Sequence, residues 1–346
     1  MKKFLSLVLA LVMTMSLVTI SAGAKDFTDD DKITYEEAVN VISEIGVVDG
    51  YADGKFNPTN TLTRQAAAKI ICNLILGPTT AAELHADTAP YKDVPATSEF
   101  AGYIAYCAKE GIISGYADGT FKPGNTLTGY AFMKMLLGAL GYDQEIEGYV
   151  GGNWSINVAK QAIAIGLNDS LVDEFNGIKA VTREEACLYA FNTLKADLVE
   201  YDTTISTTIN GQTVTIGNSL AKAQKWNNSA TRINNIKADE YIQFAEQYFP
   251  KLEKKADTDE FMRPAYTWTY NKAEIGTYVD KDLLVESYTT GVSGKTIYEL
   301  LGSVAIRDNE LESYVDGVEG SIVKDNLTRR NTKDLADTDT GVLTEV

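Results

Sequence analysis

An internal repeat constrains this chain more than any other feature. The run Gly46-Val47-Val48-Asp49-Gly50-Tyr51-Ala52-Asp53-Gly54-Lys55-Phe56-Asn57-Pro58 is followed by Leu62-Thr63-Arg64. It returns from position 111 as Gly111-Ile112-Ile113-Ser114-Gly115-Tyr116-Ala117-Asp118-Gly119-Thr120-Phe121-Lys122-Pro123, then Leu127-Thr128. A fainter third copy runs from Gly166-Leu167-Asn168-Asp169 through Phe175-Asn176-Gly177 to Val181-Thr182-Arg183-Glu184-Glu185. One such unit cannot cover its own apolar face, so the copies are expected to pack on one another.

Each copy reads helix, glycine-rich loop, helix. Gly-Tyr-Ala-Asp-Gly supplies positive φ and an Asx-turn. Phe56 and Phe121 follow as plugs into the core, and the proline stops any regular element. Thr63, Thr128 and Thr182 then stand as helix N-caps, and Thr182 with Glu185 fits a capping box. Helical spacing places Ala38, Val41, Ile42 and Ile45 on one face of copy one. Its second helix carries Ala67, Ile70, Ile71, Leu74 and Ile75 and ends at Gly77-Pro78. Copy two opens at Tyr91-Lys92-Asp93, and its second helix buries Phe132, Met135, Leu136, Ala139 and Leu140 before stopping at Gly141. Copy three uses Trp154 to Ile165, then Ala186, Tyr189, Ala190 and Leu194.

These loops resemble the S-layer homology (SLH) repeat, marked by Gly-x-x-x-Gly-Tyr-x-Asp-Gly-x-Phe-x-Pro and a Thr-Arg-Ala-Glu helix start. Copy one matches the loop and keeps Thr63-Arg64-Gln65-Ala66. Copy two matches the loop but reads Thr128-Gly129-Tyr130-Ala131. Copy three has a degraded loop yet keeps Thr182-Arg183-Glu184-Glu185. The resemblance covers residues 26–196 and implies a mainly α module of three repeats (25–77, 90–141 and 148–196) in a pseudo-threefold bundle. It also implies non-covalent attachment to the wall of a Gram-positive cell, as an S-layer or S-layer-like protein. The implied ligand is a secondary cell-wall polysaccharide on peptidoglycan, often pyruvylated. Its binding residues would be Arg64 and Arg183, with Gly50, Tyr51, Asp53, Gly115, Tyr116 and Asp118 from the loops. Copy one alone holds both an intact loop and an arginine, so Arg64 is expected to dominate.

The chemistry of the arginines fits an anion. Arg64 and Arg183 sit one residue past an N-cap, where free backbone N–H groups and the helix dipole favour a carboxylate. The competing reading is that they merely tie one repeat to the next.

Around the repeats the chain expects to be exported. Residues 1–24 read as a secretory signal: Lys2 and Lys3, an apolar run from Phe4 to Ile20, then Ala22-Gly23-Ala24 as cleavage site. With that segment removed, residues 25–196 carry 13 basic and 23 acidic side chains, and 197–346 carry 16 and 25. This even acidity leaves no basic face, so neither nucleic acid nor, after signal cleavage, a membrane is an expected partner. Self-assembly into a surface lattice stays open. The three cysteines, Cys72, Cys107 and Cys187, fall one per repeat. An odd count can mean intermolecular pairing, but their place in predicted helices favours small buried hydrophobes.

From Asp197 the texture becomes Thr-rich and alternating, an α+β region spanning 197–346 with no function legible in it. Thr207 to Val214 reads as a hairpin with an Asn210-Gly211 turn. Tyr241, Phe244, Ala245, Tyr248 and Phe249 line a helix ended by Pro250. Tyr266–Tyr270 and Leu283–Tyr288 read as strands. Asn331–Thr340 is a polar loop and Gly341–Val346 a strand start without a partner, so the chain is expected to be a fragment of, or close relative to, a longer surface protein. The alternative function is a wall-anchored enzyme or an adhesin with its active part in 197–346.

No catalytic, metal or cofactor site is expected. The lone histidine, His85, lies in a polar linker. Gly294-Lys295-Thr296 resembles the end of a phosphate loop, but Thr289 stands where that motif needs glycine. Asp29-Asp30-Asp31 and the Asp49/Asp53 pair lack the alternating ligands of an EF-hand and read as a solvated charge run and a turn.

Overall fold

The computed structural model describes residues 26–201, 205–209, 212–216, 220–226, 236–237, 239–259 and 264–280. The signal segment, the Asn210-Gly211 turn, Leu283–Tyr288, Gly294-Lys295-Thr296 and Asn331–Val346 lie outside these residues. The described residues fall into two compact units, one made of those up to Glu253 with Thr269–Ile275, the other of those in Lys254–Trp268 and 276–280.

In the first unit the three copies form helix pairs. After a 3-10 turn at Asp30–Lys32, copy one supplies α1 (Glu36–Glu44) and α2 (Arg64–Leu76), followed by the short α3 (Pro78–Ala82). Copy two supplies α4 (Ala101–Lys109) and α5 (Gly129–Ala139). Copy three supplies α6 (Trp154–Ala164) and α7 (Arg183–Lys195). Successive copies share their cores: α2 packs on α4, α5 on α6, and α7 returns to α1. Of the forecast apolar positions Ile42, Ile71, Leu74, Phe132, Leu136 and Leu194 are buried, while Ile75, at the end of α2, is half-buried. So are all three cysteines.

The N-caps sit where the sequence places them. Thr63, Thr128 and Thr182 accept from the N–H groups of Ala66, Ala131 and Glu185 at 3.3, 3.4 and 3.2 Å. Glu185 Oε2 answers with the N–H of Thr182 at 2.8 Å, completing the capping box. Just before each cap the three copies meet in a closed ring. The Leu62 N–H donates to Val181 O (2.8 Å), Val181 N–H to Leu127 O (2.9 Å), and Leu127 N–H to Leu62 O (2.9 Å).

After α7 the chain turns to strands. β1 (Val199–Tyr201) pairs antiparallel with β4 (Ala221–Ala223), and β2 (Ile205–Ile209) with β3 (Gln212–Ile216). The forecast hairpin is therefore present, with Ile209 opposite Gln212. The forecast aromatic helix is shorter than expected: α8 spans only Phe244–Tyr248. Tyr241 precedes it, bridged to Lys225 as extended chain, because Gln243 caps the helix with Glu246. Strands β5 (Leu252–Thr258), β6 (Pro264–Tyr270) and β7 (Ala273–Val279) form a sheet in that order. The forecast strand Tyr266–Tyr270 lies within β6.

Candidate functional site

Two loops of the same construction carry the candidate residues. In copy one the Tyr51 N–H donates to Lys55 O (2.8 Å) and the Gly54 N–H to Tyr51 O (3.0 Å). Asp53 closes the turn by accepting from the Lys55 N–H at 3.1 Å. In copy two Asp118 does the same for the N–H and hydroxyl of Thr120, at 2.9 and 2.6 Å. These hydrogen bonds hold the Asp118 carboxyl below the usual carboxylate range. Gly50 and Gly115 are required by close approach: a Cβ there would sit 2.6 Å from the Phe27 ring and 2.2 Å from the Tyr91 ring. Those two rings pack on the buried plugs Phe56 and Phe121, with centroids 5.2 and 5.3 Å apart. Gly50, Gly115, Asp53 and Asp118 thus build the loops, while Tyr51 and Tyr116 project from them, 46% and 43% exposed.

A second device pins each loop, and in copy one it uses Asp29, which the sequence alone places in a solvated charge run. Asp29 is buried, and its carboxylate accepts from the N–H groups of Phe56 (2.7 Å) and Asn57 (2.9 Å). Asp93 accepts in the same way from Phe121 and Lys122, both at 2.7 Å. Burial opposes ionisation of Asp29, but these hydrogen bonds outweigh it and hold its pKa below the ordinary value; Asp93 behaves alike. Asp29 is therefore a structural clamp and not part of a solvated run. The signal is readable: Phe27-Thr28-Asp29 and Tyr91-Lys92-Asp93 share an aromatic-x-Asp pattern, with the aspartates 27 and 28 residues before the plugs Phe56 and Phe121.

The arginines do not join the loops of their own copies. Arg64, from copy one, lies on the loop of copy two. Its Nε donates to Phe121 O (2.8 Å), its Nη2 to Ser114 O (3.0 Å), and its guanidinium carbon lies 4.4 Å from the Phe121 ring centroid and 5.2 Å from that of Tyr116. Arg183, from copy three, lies on the loop of copy one. There Nε donates to Phe56 O (2.9 Å) and Nη2 to Asp49 O (2.8 Å), with the rings of Tyr51 and Phe56 at 4.6 and 4.8 Å. Two arginine-on-loop grooves result, each shared by two copies. This corrects the expectation that copy one alone holds a complete set. Gly50, Tyr51 and Asp53 belong with Arg183, and Gly115, Tyr116 and Asp118 with Arg64.

A further correction concerns the helix starts. The first N–H groups of α2, α5 and α7 are not open to a ligand. Those of Arg64, Gly129 and Arg183 donate to Asn125, Lys179 and Asn60 O, at 2.9, 3.0 and 2.8 Å. The next residues, Gln65, Tyr130 and Glu184, donate to Pro123, Gly177 and Pro58 O. What each groove offers outward is the remaining guanidinium donors, since two of five are committed, and the face of an exposed tyrosine. The Arg64 groove also holds Lys122, whose Nζ is 4.2 Å from the Tyr116 ring centroid, and Lys92, whose Nζ donates to Asp118 O at 2.8 Å.

The third junction, between copies two and three, is built differently. Gly129 stands at the arginine position, and a Cβ there would meet Gly177 Cα at 3.1 Å and the Phe175 ring at 3.3 Å. Tyr130 packs edge-on against Phe175, at a centroid distance of 5.8 Å, and covers Gly177. Elsewhere, His85 is exposed and lies 3.8 Å from Asp87. Among the described residues no group of three or more His, Cys, Asp or Glu could hold a metal ion, and no helix is long and apolar enough to cross a membrane.

Comparison with known proteins places this architecture. The family model of the S-layer homology domain matches residues 26–68 and 90–129. A surface layer protein of Brevibacillus choshinensis is 28% identical over 216 residues, covering 62% of this chain and 19% of the relative. The middle cell wall protein of Brevibacillus brevis is 28% identical over 204 residues, 58% of this chain and 19% of that protein. An uncharacterized cell wall amidase of Bacillus anthracis is 26% identical over 249 residues, 68% of this chain and 45% of the relative. The chain spans about a fifth of the length of the two Brevibacillus proteins.

Proposed function

This chain is a protein with S-layer homology domains, and from that premise we propose that it is held non-covalently at the bacterial cell surface by residues 25–196. Its ligand is a secondary cell-wall polysaccharide, bound in the Arg64–Tyr116 and Arg183–Tyr51 grooves. The closed backbone ring and the cyclic exchange of arginines support reading the module as a pseudo-threefold bundle. Residues 197–346 are the attached region.

One observation carries the binding role: the third junction closes its ring hydrogen bond without an arginine. Backbone pairing at Val181 and Leu127 is as short as at the other two junctions, although Gly129 contributes no side chain. A guanidinium is therefore not needed to close the ring between repeats, which leaves Arg64 and Arg183 for a binding role. A carboxylate on a sugar, such as a pyruvate ketal, matches what the grooves present. Arginine supplies charge-assisted donors with fork geometry, and the exposed tyrosine supplies a flat face for a sugar ring. The chain is strongly acidic, so long-range attraction does not help an anionic ligand; affinity must come from these short contacts.

The test is co-sedimentation of the full chain with purified wall sacculi before and after acid extraction of the secondary polymers. Binding to intact sacculi that disappears after extraction supports the reading. Equal pelleting with stripped sacculi would instead place the contact on peptidoglycan itself. The amidase relative favours one second reading, a wall-directed enzyme, which release of soluble peptides or sugars from sacculi during the same incubation would reveal.

A further inference from the structure

The junction between copies one and two differs from the other two inside the core. Cys72 on α2 of copy one and Cys107 on α4 of copy two are both fully buried, and their sulfurs lie 3.5 Å apart. Each thiol also faces a backbone carbonyl across the junction, Cys72 that of Tyr103 (3.5 Å) and Cys107 that of Ala68 (3.6 Å). In the repeat register the same pair of positions reads Leu137 with Ala162 between copies two and three, and Phe191 with Ile42 between copies three and one. Ordinary apolar side chains fill this place twice, so core packing does not demand sulfur. Yet both halves of the junction between copies one and two carry it.

We propose that Cys72 and Cys107 are joined by a disulfide in the exported protein, covalently fastening copy one to copy two, while Cys187 remains a thiol. Sulfurs in van der Waals contact need to close by about 1.5 Å to reach the bonding distance of a disulfide. The step is thiol–disulfide exchange with an oxidant of the protein-disulfide or small-molecule-disulfide class. The thiolate of one cysteine attacks the oxidant's disulfide, which splits into one released thiolate and a mixed disulfide. The second cysteine's thiolate then attacks the mixed disulfide and forms the Sγ–Sγ bond. The protein loses two protons and two electrons, and the oxidant ends as two thiols.

Both sulfurs of the folded pair are closed off from solvent. The hydrogen bond to Cys72, with burial, also pushes the Cys107 thiol far above the ordinary range, and exchange needs the thiolate. Pairing therefore belongs to folding after export, before α2 and α4 close on one another.

The test expresses the chain with its own leader in a secreting Gram-positive host and takes protein from the medium and wall. That protein is alkylated with iodoacetamide in denaturant without reductant, then mapped by peptide mass spectrometry. Alkylation at Cys187 alone, with a Cys72–Cys107 cross-linked peptide, is expected. Reduction should then lower the Tm by about 5–15 °C. Alkylation of both Cys72 and Cys107 in the exported fraction overturns the proposal, as does a cross-link to Cys187. The variant C72A should leave Cys107 fully alkylated. A chain that stays inside the cell is refolded from denaturant in a glutathione redox buffer and mapped in the same way, so failure of export and failure of pairing give different results.

Discussion

The junctions flanking copy one and the junction between copies two and three share a backbone but not a chemistry. At all three, the residue before the N-cap pairs with its neighbour and the first two N–H groups of a helix reach the next loop. At two of them an arginine crosses onto an intact loop; at the third, Gly129 faces a degraded one and Tyr130 packs over Gly177. The missing arginine and the missing loop belong to different copies, yet they meet at one place. Backbone hydrogen bonds do not depend on side-chain identity, so the ring can persist while one groove changes use. The comparison separates what closes the module from what its surface offers.

The largest expected effect comes from emptying both arginine grooves. Losing a charge-assisted contact in a desolvated site costs about 2–5 kcal/mol, or roughly 30- to several-thousand-fold in affinity. Arg64→Ala and Arg183→Ala should each weaken co-sedimentation with sacculi, and the double variant should abolish it while circular dichroism stays unchanged. The pair also sharpens the comparison, because the Arg64 groove carries Lys92 and Lys122 where the other has Thr28 and Asn57. If both singles bind as the parent does, the arginines serve only the fold.

Next in size is the clamp beneath each loop. Asp29→Asn replaces a buried acceptor of two N–H groups by an amide that can accept only through one atom, at a cost of about 2–3 kcal/mol. Asp93→Asn, at an exposed position, should cost less. Both carboxyls have folded pKa values below their unfolded ones. Their stabilisation is thus complete above the unfolded value near 3.9 and lost as pH falls through the folded value. The urea midpoint should hold from pH 7 to 5 and fall below about pH 4, and the Asp29→Asn variant should fall less steeply there. A midpoint that drops equally in parent and variant would remove the clamp from the acid response.

A smaller effect is expected on supplying the absent arginine. Gly129→Arg should not gain wall affinity and should lower stability, since a Cβ at 3.1 Å from Gly177 Cα meets backbone. The sequence pattern alone predicts unchanged or stronger binding for this change, so stronger co-sedimentation with sacculi would reverse the structural account of the third junction.

Smallest is a repair inside copy two. Asn73 donates to Val47 O at 3.0 Å and Asn192 to Leu167 O at 3.1 Å, each holding the start of its own loop. In register with them stands Gly138, beside a cavity of about 200 Å³ lined also by Ile112, Lys134 and Tyr149. Its nearest neighbours, on Ile112, lie at 3.6 Å, leaving room for a side chain. Gly138→Asn should raise stability by about 0.5–1.5 kcal/mol, read as a higher urea midpoint with unchanged slope. A lower midpoint would mean that copy two has relaxed around the gap.

Much of this module is legible in the residues themselves. Thr63, Thr128 and Thr182 announce three helix starts, because an N-cap is satisfied within four residues and needs no distant partner. The plugs Phe56 and Phe121 and the Asx-turns at Asp53 and Asp118 are local in the same sense. The hairpin of β2 and β3 follows from its turn and alternation. Tyr241 was misread because a short helix and an extended bridge can both present aromatics on one side.

What only the tertiary structure decided is partnership across copies. The sequence lists Arg64 beside Tyr51 and Arg183 beside Phe175, but the ring turns each helix start onto the following loop, so Arg64 meets Tyr116 and Arg183 meets Tyr51. Asp29 carries the same lesson at a separation of 27 residues, and Arg183 and Phe56 at 127. Repetition makes every copy an equally plausible partner for every other, and periodicity cannot choose among them. The choice is made by packing: α2 lies on α4, α5 on α6 and α7 on α1, each helix covering its apolar face on a neighbouring copy.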